Sequence, residues 1–128
     1  MKVLIVEDEI LIAMHLETLV QTMGHQVVGI ATSASEAISL AATYCPDVAL
    51  MDIRLSDGSS GVEAAREIHA RQGLRCIFLS ANLDEATQRA VGPCDPIAFV
   101  GKPVLPIVLE RALHKANGTT GVESGLGQ

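Results

Sequence analysis

The sequence predicts an α/β fold in which five successive β–α units wrap a parallel sheet. Short apolar runs alternate with stretches of helical periodicity along almost the whole chain. The connections between them are short, which forces parallel pairing through right-handed crossovers. In addition, four of the apolar runs end in polar groups. Lys2-Val3-Leu4-Ile5-Val6 leads into Glu7-Asp8-Glu9, Asp47-Val48-Ala49-Leu50-Met51 into Asp52, Cys76-Ile77-Phe78-Leu79 into Ser80, and Ile97-Ala98-Phe99-Val100 into Gly101-Lys102-Pro103. Ligands of open parallel sheets bind beyond the carboxyl ends of the strands, so this set of residues is a site hypothesis.

Each element has its own signal. After the first strand, Ile12, Leu16, Leu19, Val20 and Met23 recur at helical spacing, and Gly24 stops the helix. Gln26-Val27-Val28-Gly29-Ile30 reads as the second strand. Ser33-Ala34-Ser35-Glu36 has the form of a capping box, opening a helix through Ala37, Ile38 and Ala41 that ends before Pro46. The third strand ends at Asp52 and is followed by the polar loop Ser56-Asp57-Gly58-Ser59-Ser60-Gly61. The next helix turns Val62, Ala65 and Ile68 inward and is broken by Gly73. After the fourth strand, a short helix with Ala86, Ala90 and Val91 inward runs to Gly92-Pro93. Pro93 and Pro96 bracket Cys94-Asp95 ahead of the fifth strand, and the last helix carries Leu105, Val108, Leu109 and Ala112 on one face. From Asn117 to Gln128 the Gly/Ser/Thr-rich sequence has no periodicity and reads as a disordered tail, leaving residues 1–116 as one domain.

Bulk composition narrows the function classes. At 128 residues the chain is long enough for one domain with a two-sided core. With one Tyr, two Phe and no Trp, that core is aliphatic. A net charge of −6 without a basic stripe argues against direct nucleic-acid binding. No apolar run approaches a membrane span, and the chain enters its first strand with no signal peptide. Cys45, Cys76 and Cys94 have neither metal nor redox spacing, so a reducing cytoplasm is expected. His15, His25, His69 and His114 show no ligand spacing and read as structural or solvated.

The strand-end residues suit phosphoryl chemistry. A carboxylate such as Asp52 can attack phosphorus to form an acyl phosphate. The arriving group brings dense negative charge to Glu7, Asp8 and Asp52, a cluster that is costly unless protonated or occupied by a metal. Hard carboxylate oxygens beside a phosphoryl group favour Mg²⁺. Lys102 offers a point charge to one phosphoryl oxygen and Ser80 a hydrogen bond to another.

With these residues in that order, the chain resembles the receiver domains of two-component response regulators. Glu7-Asp8, Met51-Asp52-Ile53-Arg54-Leu55, Leu79-Ser80-Ala81 and Lys102-Pro103 carry the resemblance across residues 1–116. It implies a flavodoxin-like (βα)5 three-layer sandwich with strand order 2-1-3-4-5, two helices on one face and three on the other. It also implies that Asp52 accepts phosphate from a phosphohistidine on a histidine kinase or histidine phosphotransfer protein. Asp8, Asp52 and the backbone carbonyl of Arg54 would ligate Mg²⁺, Glu7 would act mainly through water, and Lys102 would contact the phosphoryl group. Ser80 and Phe99 would form a switch, the aromatic filling the space that the hydroxyl vacates. Phosphorylation would then shift a pre-existing equilibrium. Arg54 and Asn82 flank the phosphoryl position, where the family tunes the lifetime of the acyl phosphate.

The chain departs from the family at Ser56, where proline is usual, and in one extra residue between Asp52 and Gly61. Phe99 also lacks the hydroxyl that a tyrosine there would bring. An aspartate-nucleophile phosphatase would need a second acid two positions after the nucleophile, where Arg54 stands. The alternative is a receiver-like binding module that works without phosphorylation, although the acid pair, the aspartate and the lysine are all retained. With no effector domain following residue 116, output is expected through a downstream protein target. The chain would occlude or release that partner, pass the phosphoryl group on, or form a homodimer through the fourth-helix to fifth-helix face. It is not expected to turn over an external substrate.

Overall fold

A computed structural model describes residues 1–55, 60–82 and 84–125, with side chains to Gly118. The elements follow the order β1 (Lys2–Val6), α1 (Ile10–Thr22), β2 (Gln26–Ala31), α2 (Ala34–Tyr44), β3 (Val48–Asp52), α3 (Gly61–Gln72), β4 (Cys76–Ser80), α4 (Glu85–Val91), β5 (Ala98–Gly101) and α5 (Pro106–Gly125), with a short 3-10 turn at Gly92–Cys94. All strands pair in parallel, in the order β2-β1-β3-β4-β5. Both faces of the sheet are covered, which is why the strands read as continuous apolar runs. Val3, Ile5, Leu50, Ile77 and Leu79 pack against Leu16 and Val20 of α1 and Leu109 and Leu113 of α5. Leu4, Met51 and Phe78 pack on the other face against α2, α3 and α4 through residues such as Ala37, Ala65, Ile68 and Val91.

Local signals account for the helix ends. The Ser33 hydroxyl accepts from the Glu36 N–H at 3.2 Å, while the Glu36 carboxylate takes the Thr32 N–H at 2.7 Å, one residue earlier than in a standard capping box. Asp84 caps α4, accepting from the Thr87 N–H at 2.7 Å. Gly24, two residues past the end of α1, and Gly73, directly after α3, adopt positive φ of 90° and 70°.

Two inward faces differ from the sequence expectation. Ala86 and Ala90 of α4 are exposed, and Val91 is buried with Thr87 partly covered, one turn apart. A seven-residue helix offers one narrow stripe, and the cap at Asp84 sets its rotation. Leu105 precedes α5 and is exposed, whereas the buried stripe is Leu109, Ala112, Leu113 and Ala116. The α5 helix runs through Asn117 to Gly125, where the sequence suggests a disordered tail. Among the residues whose side chains are described, its buried stripe extends to Ala116, and a helical ladder once begun can propagate at one hydrogen bond per residue. Ser56 lies outside the described residues. Cys76 and Cys94 are buried, Cys45 is exposed, and all three are free thiols. Among the described residues no helix is long and apolar enough to cross a membrane.

Candidate functional site

The carboxyl ends of β1, β3, β4 and β5 open onto one cleft of about 490 Å³, lined by Asp8, Glu9, Asp52, Arg54, Ser80, Asn82 and Lys102 among others. The parallel sheet delivers them there because every strand points the same way, with β1 and β3 adjacent at its centre. Asp52 is the last residue of β3 and only 5% exposed, and Glu7, one residue beyond β1, is fully buried.

Lys102 enters this acidic pair from the loop after β5. Its Nζ lies 2.8 Å from Glu7 Oε1 and 3.2 Å from Asp52 Oδ2. Its backbone N–H donates to the Ser80 carbonyl at 3.0 Å, which anchors the loop to β4, and the following Lys102–Pro103 peptide is cis. Burial works against the ammonium charge, but the Glu7 and Asp52 carboxylates more than offset it and hold the Lys102 pKa above the ordinary lysine value. Asp52 is shifted too. Burial first and the Glu7 charge second raise its pKa from 3.8 to about 6, against the opposing pull of Lys102. The Arg54 N–H reaches Asp52 Oδ1 at 3.4 Å, and the Glu9 N–H donates to the other Glu7 oxygen at 3.2 Å.

The acid set fits a hard divalent cation. Glu7, Asp8 and Asp52 each present a carboxylate oxygen, and these oxygens lie within 4.8 Å of one another. One lysine ammonium does not balance three carboxylates, and the Glu7 charge adds to burial in raising the Asp52 pKa. One Glu7 oxygen lies on Lys102 and the other on the Glu9 amide, while Asp8 and Asp52 line the open cleft.

Ser80 is turned toward the loop. Its hydroxyl donates to the Asn82 carbonyl and accepts from the Asn82 N–H, both at 3.0 Å. Phe99 lies opposite Phe78 in the β4–β5 register, and the two rings stack with centroids 5.7 Å apart.

A receiver-domain family profile, described as the response regulator receiver domain, matches residues 3–114. The chain belongs to this family. It is 36% identical to the phyllosphere-induced regulator PhyR of Methylorubrum extorquens over 116 residues, covering 90% of this chain and 43% of that protein. It is 31% identical to the transcriptional regulatory protein PdtaR of Mycobacterium tuberculosis over 80% of this chain and 49% of that one. The receiver thus spans about half the length of these curated relatives. Among solved structures, the signal receiver domain of a modulated diguanylate cyclase from Desulfovibrio desulfuricans superposes with a TM-score of 0.86 at 33% identity, covering 95% of this chain and 97% of that one. The response regulator PhyR from Brucella abortus gives 0.80 at 34% identity, covering 97% and 51% respectively.

The geometry brings Glu7, Asp8, Asp52, Arg54, Ser80 and Lys102 together, and sets Phe99 two residues before the β5 end at Gly101. Sequence reasoning missed two features of this receiver. Gly61 sits directly against the Asp52 backbone, a contact with no sequence signal beyond the glycine itself. A groove of about 310 Å³ also runs between α1 and the β5–α5 loop, lined by Leu11, His15, Lys102, Pro103 and Val104 among others. Leu11, which lines it, is exposed, as are Ile10 and Met14 on the same helix and Leu105 and Ile107 at the start of α5. Leu11 and Met14 do carry a sequence signal, being apolar residues off the buried stripe of α1.

Proposed function

We propose that this receiver takes a phosphoryl group on Asp52 from a phosphohistidine of a histidine kinase or histidine phosphotransfer protein, in a Mg²⁺-dependent reaction, and signals through protein–protein contacts. The observation that carries the reading is the Lys102 ammonium held between two buried strand-end carboxylates, 3.2 Å from the one that also borders an open cleft. In the transfer an Asp52 oxygen attacks phosphorus. The N–P bond to the imidazole breaks with its electron pair returning to nitrogen, and an acyl phosphate forms. Lys102 neutralises one phosphoryl oxygen without leaving Glu7, and Ser80 lies at the cleft wall where its hydroxyl can turn to another. Held by Asp8, Asp52 and the Arg54 carbonyl with Glu7 behind them, Mg²⁺ would supply the remaining positive charge beside the phosphoryl oxygens. Arg54 and Asn82 are exposed on the cleft rim and would govern access of the water that hydrolyses the acyl phosphate.

The donor must cover the surface around the cleft, and the apolar groove lined by Leu11, Ile12, Pro103 and Val104 adjoins it through Lys102. We place the donor there. For output, the similar PhyR from Bartonella quintana is described as an anti-anti-sigma factor. Control of a protein partner, by occlusion, release, onward transfer or dimerisation, is the corresponding reading for this chain. The working unit is residues 1–116, with a cytoplasmic location.

Intact mass after incubation with acetyl phosphate, with and without Mg²⁺, tests the proposal. One Mg²⁺-dependent phosphoryl adduct that is absent from Asp52→Asn supports it. No adduct, or one that persists in the variant, moves the function to a phosphorylation-independent binding module.

A further inference from the structure

We infer that Cys76 and Cys94 form a redox-modification site, a buried thiol pair that peroxide closes to a disulfide between the start of β4 and the turn ahead of β5. The inference stands independently of the acceptor function proposed above. The two cysteines are far apart in sequence, with all of α4 between them, and backbone contacts bring them together. The Cys76 carbonyl accepts the Ile97 N–H at 2.9 Å. Next to Cys76, Arg75 Nε donates to the Asp95 carbonyl at 2.7 Å and pairs with the Asp95 carboxylate at 3.1 Å. Asp95 takes a φ of 54° and donates its N–H to the Gly92 carbonyl at 3.0 Å, so the chain doubles back sharply at Cys94. Arg75 and Cys76 thus clamp the segment that follows Cys94.

The side chains meet on one face of the sheet. β4 and β5 are registered from Ile77 with Ala98 onward. One step earlier, Ile97 turns into the core shared with α1 and α5, whereas Cys76 faces α3 and α4. Cys94, from the 3-10 turn, joins Cys76 in that second core, the two residues being 3% and 1% exposed. After burial, the Cys94 charge is the next cause that pushes the Cys76 thiol up, an effect that falls off with distance.

The two thiols differ in access. Cys76 lies in a strand paired with β3 on one side and held to Ile97 on the other. Cys94 sits in a single 3-10 turn with Gly92, Pro93 and Asp95 exposed around it, and the Arg66 charge opposes the burial that raises its pKa. Peroxide therefore meets Cys94 first. The Cys94 thiolate attacks a peroxide oxygen, the O–O bond breaks, and the departing hydroxide takes up the thiol proton as water, leaving a sulfenic acid. The Cys76 sulfur then attacks the Cys94 sulfur, the S–O bond breaks, and a second water leaves with the Cys76 proton. Peroxide is reduced to water, and the two sulfurs lose the electrons that it gains. A thiol reductant reverses the bond, which is the kind of transient disulfide that reducing compartments hold.

The experiment treats the folded full chain with hydrogen peroxide in a Cys45→Ser background, which removes the exposed thiol. The expected product is a monomer lighter by two hydrogens, with no thiol left to alkylate in denaturant. Its tryptic peptides 76–89 and 90–111 stay linked until reductant is added. Tm rises by roughly 5–10 °C and returns on reduction, because the bond closes a loop across α4. In Cys76→Ala, dimedone traps the Cys94 sulfenic acid, and in Cys94→Ala, Cys76 stays unmodified over the same exposure. Two alkylatable thiols after peroxide, a bond that forms only in urea, or a lower Tm on oxidation overturns the inference. So does dimedone labelling of Cys94 that is as strong with Cys76 present as without it. If an alanine variant does not fold, the linked peptides and the Tm of the two-thiol protein decide the matter alone.

Discussion

Replacing Gly61 by alanine places a methyl carbon 1.9 Å from the backbone carbonyl oxygen of Asp52, 2.9 Å from its carbonyl carbon and 3.1 Å from the Ile53 Cα. All three atoms are backbone, so no side chain can swing away. Opening the closest contact to an ordinary carbon–oxygen distance of about 3.3 Å needs a shift of about 1.4 Å. Two effects compete. Gly61 is the first residue of α3, and alanine there gains up to about 1 kcal/mol of helix propensity. Overpacking against rigid backbone costs about 1–3 kcal/mol. The Gly61 N–H also donates to the Ile53 carbonyl at 2.9 Å, tying α3 to the same segment, so the helix cannot retreat freely. The clash therefore wins. For a domain of this size the net effect is a drop in Tm of up to roughly 10 °C. The functional cost is larger, because the atom displaced belongs to the proposed nucleophile's own residue. A misplacement of about 1 Å at a reacting centre can lower a rate by about a hundredfold. Labelling by acetyl phosphate, followed by intact mass against time, should slow by roughly ten- to a hundredfold in Gly61→Ala at saturating Mg²⁺. Wild-type rate and Tm in this variant would show that the α3 start yields without moving Asp52, and the reasoning would fail.

The raised Asp52 pKa has a pH signature in metal-free protein. Its contribution to stability is present below 3.8 and is lost as pH rises through about 6, because the ionised form is the one the fold disfavours. Asp52→Asn should thus be more stable than wild type by up to about 3 kcal/mol above pH 6, with the advantage gone below about pH 4, as read by chemical unfolding in chelator. Mg²⁺ at tenfold above its Kd should stabilise the wild type by about 1.4 kcal/mol and Asp8→Asn hardly at all, a comparison that thermal melts across a Mg²⁺ titration decide. Lys102→Met leaves the Glu7 carboxylate buried without its cation and should cost about 3–5 kcal/mol, while adding Glu7→Gln should recover most of that in urea unfolding. Leu11→Asp, at a position 79% exposed, should leave labelling by acetyl phosphate intact and reduce transfer from a protein donor, and equal loss with both donors would refute the docking surface.

The sequence by itself determined the β–α alternation, the parallel sheet and the four strand-end groups. Each rests on local information: an apolar run long enough for a buried strand, a helical stripe, a cap or a glycine stop, and a polar residue where the run ends. That Asp52, Glu7 and Lys102 would meet was legible because parallel strands bring their carboxyl ends together whatever the details of packing. The structure decided what depends on contacts between distant segments. It rotated α4 so that Val91 is buried while Ala86 and Ala90 face outward, since alanines match either environment and the Asp84 cap sets the phase. It left Leu105 outside and carried α5 past Asn117. It also pressed Gly61 onto the Asp52 carbonyl, stacked Phe99 on Phe78, and placed Leu11 beside the loop that carries Lys102. Periodicity tells which face of an element is apolar, but which distant residue that face meets, and at what distance, is set only when the layers close on one another.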